Sequence, residues 1–346
     1  MIRVGIVGIG FMGMIHYLAY QKVTGAKVTA ICSRDAKKRS GDWRGIQGNF
    51  GPPGEEMDLT GVAQYAELEE LLADPEIDLV DICLPPHLHA DAAIQCMQAG
   101  KHVLVEKPMT LGMEQAELMV KTAETTQRQL LVAHVLPFFP EFAHAHQLVM
   151  SGQYGPLKGA SFKRIISDPT WIPDFYDPQR VGGPVIDLHI HDAHFIRLLC
   201  GMPEAVYARG RMRGEVVEYM NVDFLFPNRS LVVHAQTGVI LQQGRKFTHA
   251  FEIHLEQATL VYDFAVLGSE VVGYPLTILT NDGEAVRPAL GQTDPVDAFV
   301  GELSAMVESL TTGIPSPLLS GVLARDALLI CQRETQSVRE GGIVSV

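Results

Sequence analysis

Ile2-Arg3-Val4-Gly5-Ile6-Val7-Gly8-Ile9-Gly10-Phe11-Met12-Gly13 is a short β-branched run that ends in three spaced glycines, and a helical pattern from Met14 to Lys22 follows it directly. A strand, a tight turn and a helix are therefore expected in succession. In such a unit Gly8 permits the turn, Gly10 removes a side chain where a pyrophosphate approaches the backbone, and Gly13 lets the helix pack against the strand. The helix N-terminus, at Phe11 and Met12, offers N–H groups and a partial positive charge to phosphates. Strand and helix on either side raise this glycine spacing above coincidence and point to a dinucleotide site.

Working outward, Val28 to Cys32, Leu79 to Leu84, His102 to Val105 and Leu130 to Val135 read as further strands. Helical patterns at Leu88 to Gln98 and Met113 to Thr125 separate them, and this alternation predicts a parallel sheet with crossover helices. The Gly-, Pro- and acid-rich segment 41–61 shows no period and is expected on the rim of the sheet. Beyond Pro137 the strands follow one another without helices between them: Leu157 to Ile166, Ala205 to Arg213, Asn221 to Phe226, Leu231 to Thr237, Thr248 to Leu255 and Thr259 to Phe264. That pattern implies a large, mostly antiparallel open sheet. Asp187 to Cys200, Asp294 to Thr312 and Gly321 to Val338 read as its helices. The expected fold class is α/β, with a Rossmann unit over 1–136 and a substrate-binding and oligomerisation domain over 137–346, whose last helix can pack back on the first.

The chain has 346 residues, 47% of them apolar, enough for two folded cores. With 27 basic and 40 acidic residues its net charge is -13, so nucleic acid and anionic membranes are not expected partners. Runs of roughly 18–20 apolar residues are lacking and the N-terminus carries no charged leader, which leads to the expectation of a cytoplasmic protein. Five scattered cysteines, none in C-x-x-C spacing, suit reduced buried thiols.

At the end of the second strand a dinucleotide fold usually carries an acid that binds the ribose hydroxyls. Ser33-Arg34 stands there instead. A hydroxyl and a guanidinium suit a 2'-phosphate, so NADP is the expected cofactor, with NAD as the alternative through Asp35. The other reading of Arg34 to Lys38 is a solvated helix start.

The strand His102 to Val105 ends in Glu106-Lys107-Pro108, which puts two charges at the carboxyl edge of the sheet, where open α/β folds bind ligands. The plainer reading is a surface ion pair. Together with Gly8-x-Gly10-x-x-Gly13 and Pro85-Pro86-His87-Leu88-His89-Ala90, the run Ala99 to Pro108 resembles the glucose-fructose oxidoreductase, inositol dehydrogenase and MocA family, and the likeness extends over nearly the whole chain. The resemblance implies an NAD(P)-dependent dehydrogenase or reductase acting on CH–OH groups of a sugar or cyclic polyol, assembled as a homodimer or homotetramer. By the same resemblance Lys107 assists hydride transfer, and Leu84, Pro85, His87, His89 and Glu106 contact the cofactor; helix capping is the other reading of His89.

Gly182 to His194 opens a helix on which Asp187, His191 and His194 are spaced to share one face. The resemblance assigns Asp187 and His191 to holding the reacting hydroxyl and moving its proton. Imidazole titrates near neutral pH, which makes His191 the expected base and Asp187 its orienting partner. His189 stands where the family usually has glycine and either lines the substrate pocket or is a polar turn residue. His194 stands where a second aspartate is frequent, and Asp192 is expected in solvent or as a cap. His134, Trp171, Tyr176 and Arg180 are candidate substrate contacts, the last three alternatively with Phe175 in ordinary packing. His144 and His146 read as structural. Two rivals are a cofactor-binding sensor without catalysis, and a metal-dependent enzyme built on Asp187, His189, His191 and His194; the second leaves the glycines without a purpose, so no metal is expected.

Overall fold

The computed structural model describes residues 1–48, 50–291 and 294–346. By internal contact the chain divides into two units. The first takes residues 1–138 and a later stretch that ends at Arg325, and the second takes Phe139–Gly291 and Asp326–Val346.

The first unit runs β1 (Ile2–Val7), α1 (Phe11–Tyr20), β2 (Ala26–Cys32), α2 (Ala36–Arg39), β3 (Ala63–Tyr65), α3 (Leu68–Leu72), β4 (Leu79–Ile82), α4 (His89–Gln98), β5 (His102–Glu106), α5 (Met113–Thr126) and β6 (Leu130–Ala133). Its strands pair in parallel in the order β3-β2-β1-β4-β5-β6, that of a doubly wound dinucleotide fold. Every residue of β4 and β6 is buried, as helices on both faces of a parallel sheet require. The strand β3 was not expected from the sequence; three residues are too short to show a period.

Segment 41–61 is not a rim decoration. Trp43, Ile46 and Leu59 are buried in the same apolar cluster as Ile15 and Tyr17 of α1. Trp43 meets Tyr17 edge to face at 5.0 Å, and Phe50 packs on Phe11 at 4.9 Å.

The second unit opens with α6 (Pro140–Ser151), β7 (Leu157–Ser167) and α7 (Ile190–Cys200), the last preceded by a π-helical turn over Val185–His189. There follow β8 (Ala205–Arg213), β9 (Val216–Leu225), β10 (Val232–Ile240), β11 (Arg245–Leu255), β12 (Ala258–Leu267), β13 (Glu270–Thr280) and β14 (Ala285–Val286). The chain ends with α8 (Pro295–Thr312), α9 (Gly321–Glu340) and β15 (Ile343–Ser345). The sheet order is β14-β13-β12-β11-β7-β10-β9-β8-β15, antiparallel throughout except for the parallel pair β7 and β10.

A single cut at 136/137 therefore misplaces a helix. It is α8, not the last helix as a whole, that returns to the first unit, because Val296, Phe299, Leu303 and Met306 complete the apolar cluster around α1. At 325/326 the long α9 passes from one unit to the other. Near its start Gly321 meets β6 so closely that a Cβ would lie 2.9 Å from the Leu130 side chain.

Candidate active site

The three glycines of the first turn do three different things. Gly8 has φ +95°, and a Cβ there would lie 2.6 Å from the Cys83 carbonyl oxygen. At Gly13 a Cβ would come within 2.1 Å of the Gly8 carbonyl oxygen, so only glycine lets α1 start this close to β1. Gly10 is different: among the described residues, its chain neighbours aside, no atom lies within 4 Å of where its Cβ would be. Sterics inside the fold explain the first and third glycines, whereas the second leaves open space in front of a helix N-terminus that no side chain caps. That is the cradle a pyrophosphate needs, and these residues fit a dinucleotide. Phe11 and Met12, in the first turn of α1, are both half-buried.

At the end of β2, Ser33 is half-buried and Arg34 exposed. Asp35 is occupied as the N-cap of α2, accepting from the Lys37 N–H at 2.9 Å. Arg39, which sequence reasoning passed over, donates to the Ser33 carbonyl at 2.6 Å and braces the loop from behind.

The loops after β4 and β5 are joined by His89. Its ring lies between two carbonyls, Nε2 at 2.7 Å from Leu84 O and Nδ1 at 2.8 Å from Pro108 O. His89 begins α4 and its backbone N–H closes the short turn before it on the Pro86 carbonyl, but its side chain acts as a staple between two loops at the carboxyl edge of the sheet. Burial holds its pKa below the usual histidine value. Pro85 and His87 are exposed and Leu84 half-buried. Glu106, expected among the cofactor contacts, turns inward: it is buried, with Oε1 3.1 Å from His16 Nε2 and Oε2 accepting the Lys107 N–H at 3.0 Å. The plain surface ion pair is excluded by that burial. Lys107 itself is half-buried at the end of β5, ahead of a cis bond to Pro108.

In the second unit the run from Asp187 does not keep one helical period. Asp187 lies inside the π-helical turn, His189 ends it, and His191 and His194 belong to α7. A π turn takes an extra residue per bond, which shifts the face expected from a 3.6-residue repeat. Asp187 and His191 are half-buried; His194 is fully buried. His189 is also fully buried, its Nε2 3.1 Å from Glu334 Oε1, so its ring presents no surface to a substrate and neither sequence reading describes it. Burial opposes charge on that ring, but Glu334 outweighs it and raises the pKa. Asp192 is not in solvent: Arg164 donates to it twice, Nε at 2.8 Å and Nη2 at 2.9 Å. Both side chains are at most 4% exposed.

Of the remaining candidates, His134 is fully buried just after β6. Trp171 is exposed, and Arg180 pairs with Asp174 at 2.9 Å. The Tyr176 hydroxyl donates to Asp168 at 2.7 Å, and the Arg213 guanidinium covers its ring at 3.7 Å. These two groups, with Thr170 and Phe175, line a cavity beside the loop. Trp171 and Arg180 are not among its lining residues. Among the described residues the set of three metal-type donors drawn closest together is His16, Asp81 and Cys83, in the first unit, rather than the histidines around Asp187.

A profile of the oxidoreductase family with an NAD-binding Rossmann fold, GFO/IDH/MocA, matches residues 2–134, and the profile of the GFO/IDH/MocA C-terminal domain matches 142–261. An uncharacterized oxidoreductase of Rhizobium meliloti is 30% identical over 60% of this chain and 59% of its own length. With that relative and others like it, the match spans roughly half to three fifths of the relative's length. Inositol 2-dehydrogenase of Rhizobium meliloti is 25% identical over 100% of this chain and 99% of its own. A levoglucosan dehydrogenase solved with NADH and levoglucosan shares the fold at a TM-score of 0.79 and 21% identity, covering 100% of this chain and 99% of that one. With both of its domains matched in order, and the glycine turn and the Glu106-Lys107-Pro108 loop where such a fold binds ligands, the chain belongs to the GFO/IDH/MocA oxidoreductase family.

Proposed function

We propose that the protein is an NAD(P)-dependent dehydrogenase or reductase acting on a CH–OH or C=O carbon of a sugar, cyclic polyol or related small molecule. The observation that carries this reading is Gly10, whose missing side chain leaves open space before an uncapped helix N-terminus while its two neighbouring glycines are explained by packing. A bound nicotinamide dinucleotide supplies the acceptor or donor of hydride. The chain's own residues do the rest. The first turn of α1 holds the pyrophosphate, Lys107 Nζ holds the reacting oxygen, His191 takes or returns its proton, and Asp187 orients His191.

NADP is the preferred form. Asp35, the acid of this loop that would favour NAD, is engaged as a helix cap, and Arg34 is exposed beside Ser33. A guanidinium there pairs with a 2'-phosphate.

The test is a panel of aldoses, cyclic polyols and their keto forms, followed at the nicotinamide absorbance with each cofactor. Turnover of at least one member with NADP favoured is expected. Tight cofactor binding with no turnover across the panel would replace this reading by that of a cofactor-binding sensor.

A further inference from the structure

Helix α1 buries a histidine that the reaction above does not use. His16 is fully buried, and carboxylates stand at both of its ring nitrogens. Nδ1 is hydrogen-bonded to Asp81 Oδ2 on β4 at 2.9 Å, whereas Nε2 lies 3.1 Å from Glu106 Oε1 at the end of β5, within ion-pair distance but out of hydrogen-bond alignment. Asp81 also accepts the Tyr20 hydroxyl at 3.0 Å, and the Cys83 thiol lies 3.5 Å from its other oxygen. From α8, Glu302 enters the same neighbourhood, fully buried and without a hydrogen-bond partner.

A neutral imidazole would turn a lone pair toward one of the two carboxylates, whereas the doubly protonated ring presents positive charge to both, so two carboxylates at ion-pair distance call for a cation. The groups packed around the ring agree. Burial works against charge on His16, but Asp81 and Cys83 outweigh it and hold the pKa well above the usual histidine range, while burial pushes the pKa of the Glu302 carboxyl well above its ordinary value. His16 is then the counter-charge for Glu106, and the second oxygen of Glu106 is the acceptor of the Lys107 N–H.

We propose that His16 is a positioning residue for Lys107: it holds the Glu106 carboxylate inside the fold, and that carboxylate, by accepting the Lys107 N–H, sets where the lysine leaves β5. The chain of contacts runs from α1 through two side chains to the backbone of the residue proposed to touch the reacting oxygen. It rests on the reading of Lys107 given above. A lysine displaced by about an ångström loses roughly a hundredfold in rate while the dinucleotide, held elsewhere, binds as before.

The experiment uses the full chain with His16→Gln, Glu106→Gln and the double variant. With a substrate identified by the panel, each single variant is expected to lower kcat about ten- to a hundredfold. KM and the Kd of the reduced dinucleotide, read by its fluorescence, are expected to stay within about threefold, and the double variant to be no worse than the worse single one. Unchanged kcat in His16→Gln, or losses that multiply in the double variant, would overturn the proposal. Hydrogen exchange at the Lys107 amide gives a reading that needs no substrate: protection should fall at least tenfold in both single variants, and full protection in His16→Gln would overturn the proposal equally. If His16→Gln does not fold, nitrogen-15 spectra of the wild type decide, since a singly protonated His16 ring at pH 7 is incompatible with it. Lys107→Ala separates the two levels. Full activity in that variant removes the reading beneath, whereas an inactive Lys107→Ala beside an unimpaired His16→Gln removes only the role of His16.

Discussion

Each unit buries a histidine against a glutamate, and the two networks balance their charges differently. In the first, His16 faces both Asp81 and Glu106, with Glu302, its pKa raised by burial, nearby. In the second, His189 faces Glu334 at 3.1 Å and stands 3.8 Å from Asp192, but Asp192 has a cation of its own in Arg164. Guanidinium does not lose its proton in proteins, so the second network is anchored by a permanent charge and the first by one that titrates. Each also adjoins a candidate catalytic residue in sequence: Glu106 precedes Lys107, and His189 and Asp192 bracket His191. The difference teaches that in the Arg164 network the cation itself does not titrate, whereas in the His16 network it does, so that, on the proposal above, the Lys107 backbone is tied to a proton.

The strongest way to break the comparison is at the residues the networks adjoin. Lys107→Ala is expected to lower turnover about 10²- to 10⁴-fold and leave cofactor binding within a few-fold. For His191→Ala the loss should fall chiefly on oxidation and be partly recovered at high pH, where hydroxide or ionised substrate replaces the base; Asp187→Asn should be milder. Loss of cooperative melting in His191→Ala would instead make that histidine structural. Next in size is Arg164→Met, which leaves Asp192 buried without a partner and should cost about 3–5 kcal/mol of stability by urea unfolding. A loss below about 1 kcal/mol would show that the second network is not anchored where the geometry places its charge.

The sequence reveals these parts unequally, and for physical reasons. The glycine turn was legible because its three glycines fall within six residues, between a strand and a helix pattern that the sequence itself shows. The inward turn of Glu106 was not, because β5 is buried on both faces and alternation says nothing about which way its last residue points. Asp192 looked solvated because Arg164 lies 28 residues away, and His189 finds Glu334 only across 145. In segment 41–61 the core residues Trp43, Ile46 and Leu59 are too sparse to form a period, so a segment that completes the core resembled a loop. The strand β13 escaped notice because its first six residues are all exposed and carry no alternation.

The charge balance in the first unit can be sharpened through pH. Burial raises the Glu302 pKa well above its ordinary 4.5, so the folded state binds this proton more tightly than the unfolded one. Below 4.5 both states are protonated and nothing is lost; as pH rises from there to the folded value, the wild type loses at most about 1.4 kcal/mol per unit from this group. The pKa of His16 is likewise raised above its ordinary 6.5, so its stabilisation is full below that value and lost as pH rises through the folded one. Glu302→Gln removes the first effect and keeps the second. Its stability should equal that of the wild type near pH 4 and exceed it by about 1–3 kcal/mol at pH 7. A constant difference across that range would mean that Glu302 is not held protonated.

The smallest effect concerns a charge outside both networks. Arg34 is exposed, in a loop braced by Arg39, so it has no burial cost to recover and no carboxylate to keep inside the fold. Removing it should change stability by less than about 0.5 kcal/mol, in contrast to Arg164. Its effect belongs to recognition instead. If the guanidinium pairs with a 2'-phosphate, Arg34→Ala loses a charge-assisted hydrogen bond, and kcat/KM with NADP should fall by about 1.5–3 kcal/mol, roughly ten- to a hundredfold, while kcat/KM with NAD stays the same. Because Asp35 is already spent on capping α2, removal of Arg34 uncovers no acid to take the ribose, and NAD should gain nothing. Equal losses with both cofactors, or a wild type that prefers NAD tenfold, would show that this loop does not read the phosphate and that NAD is the working cofactor.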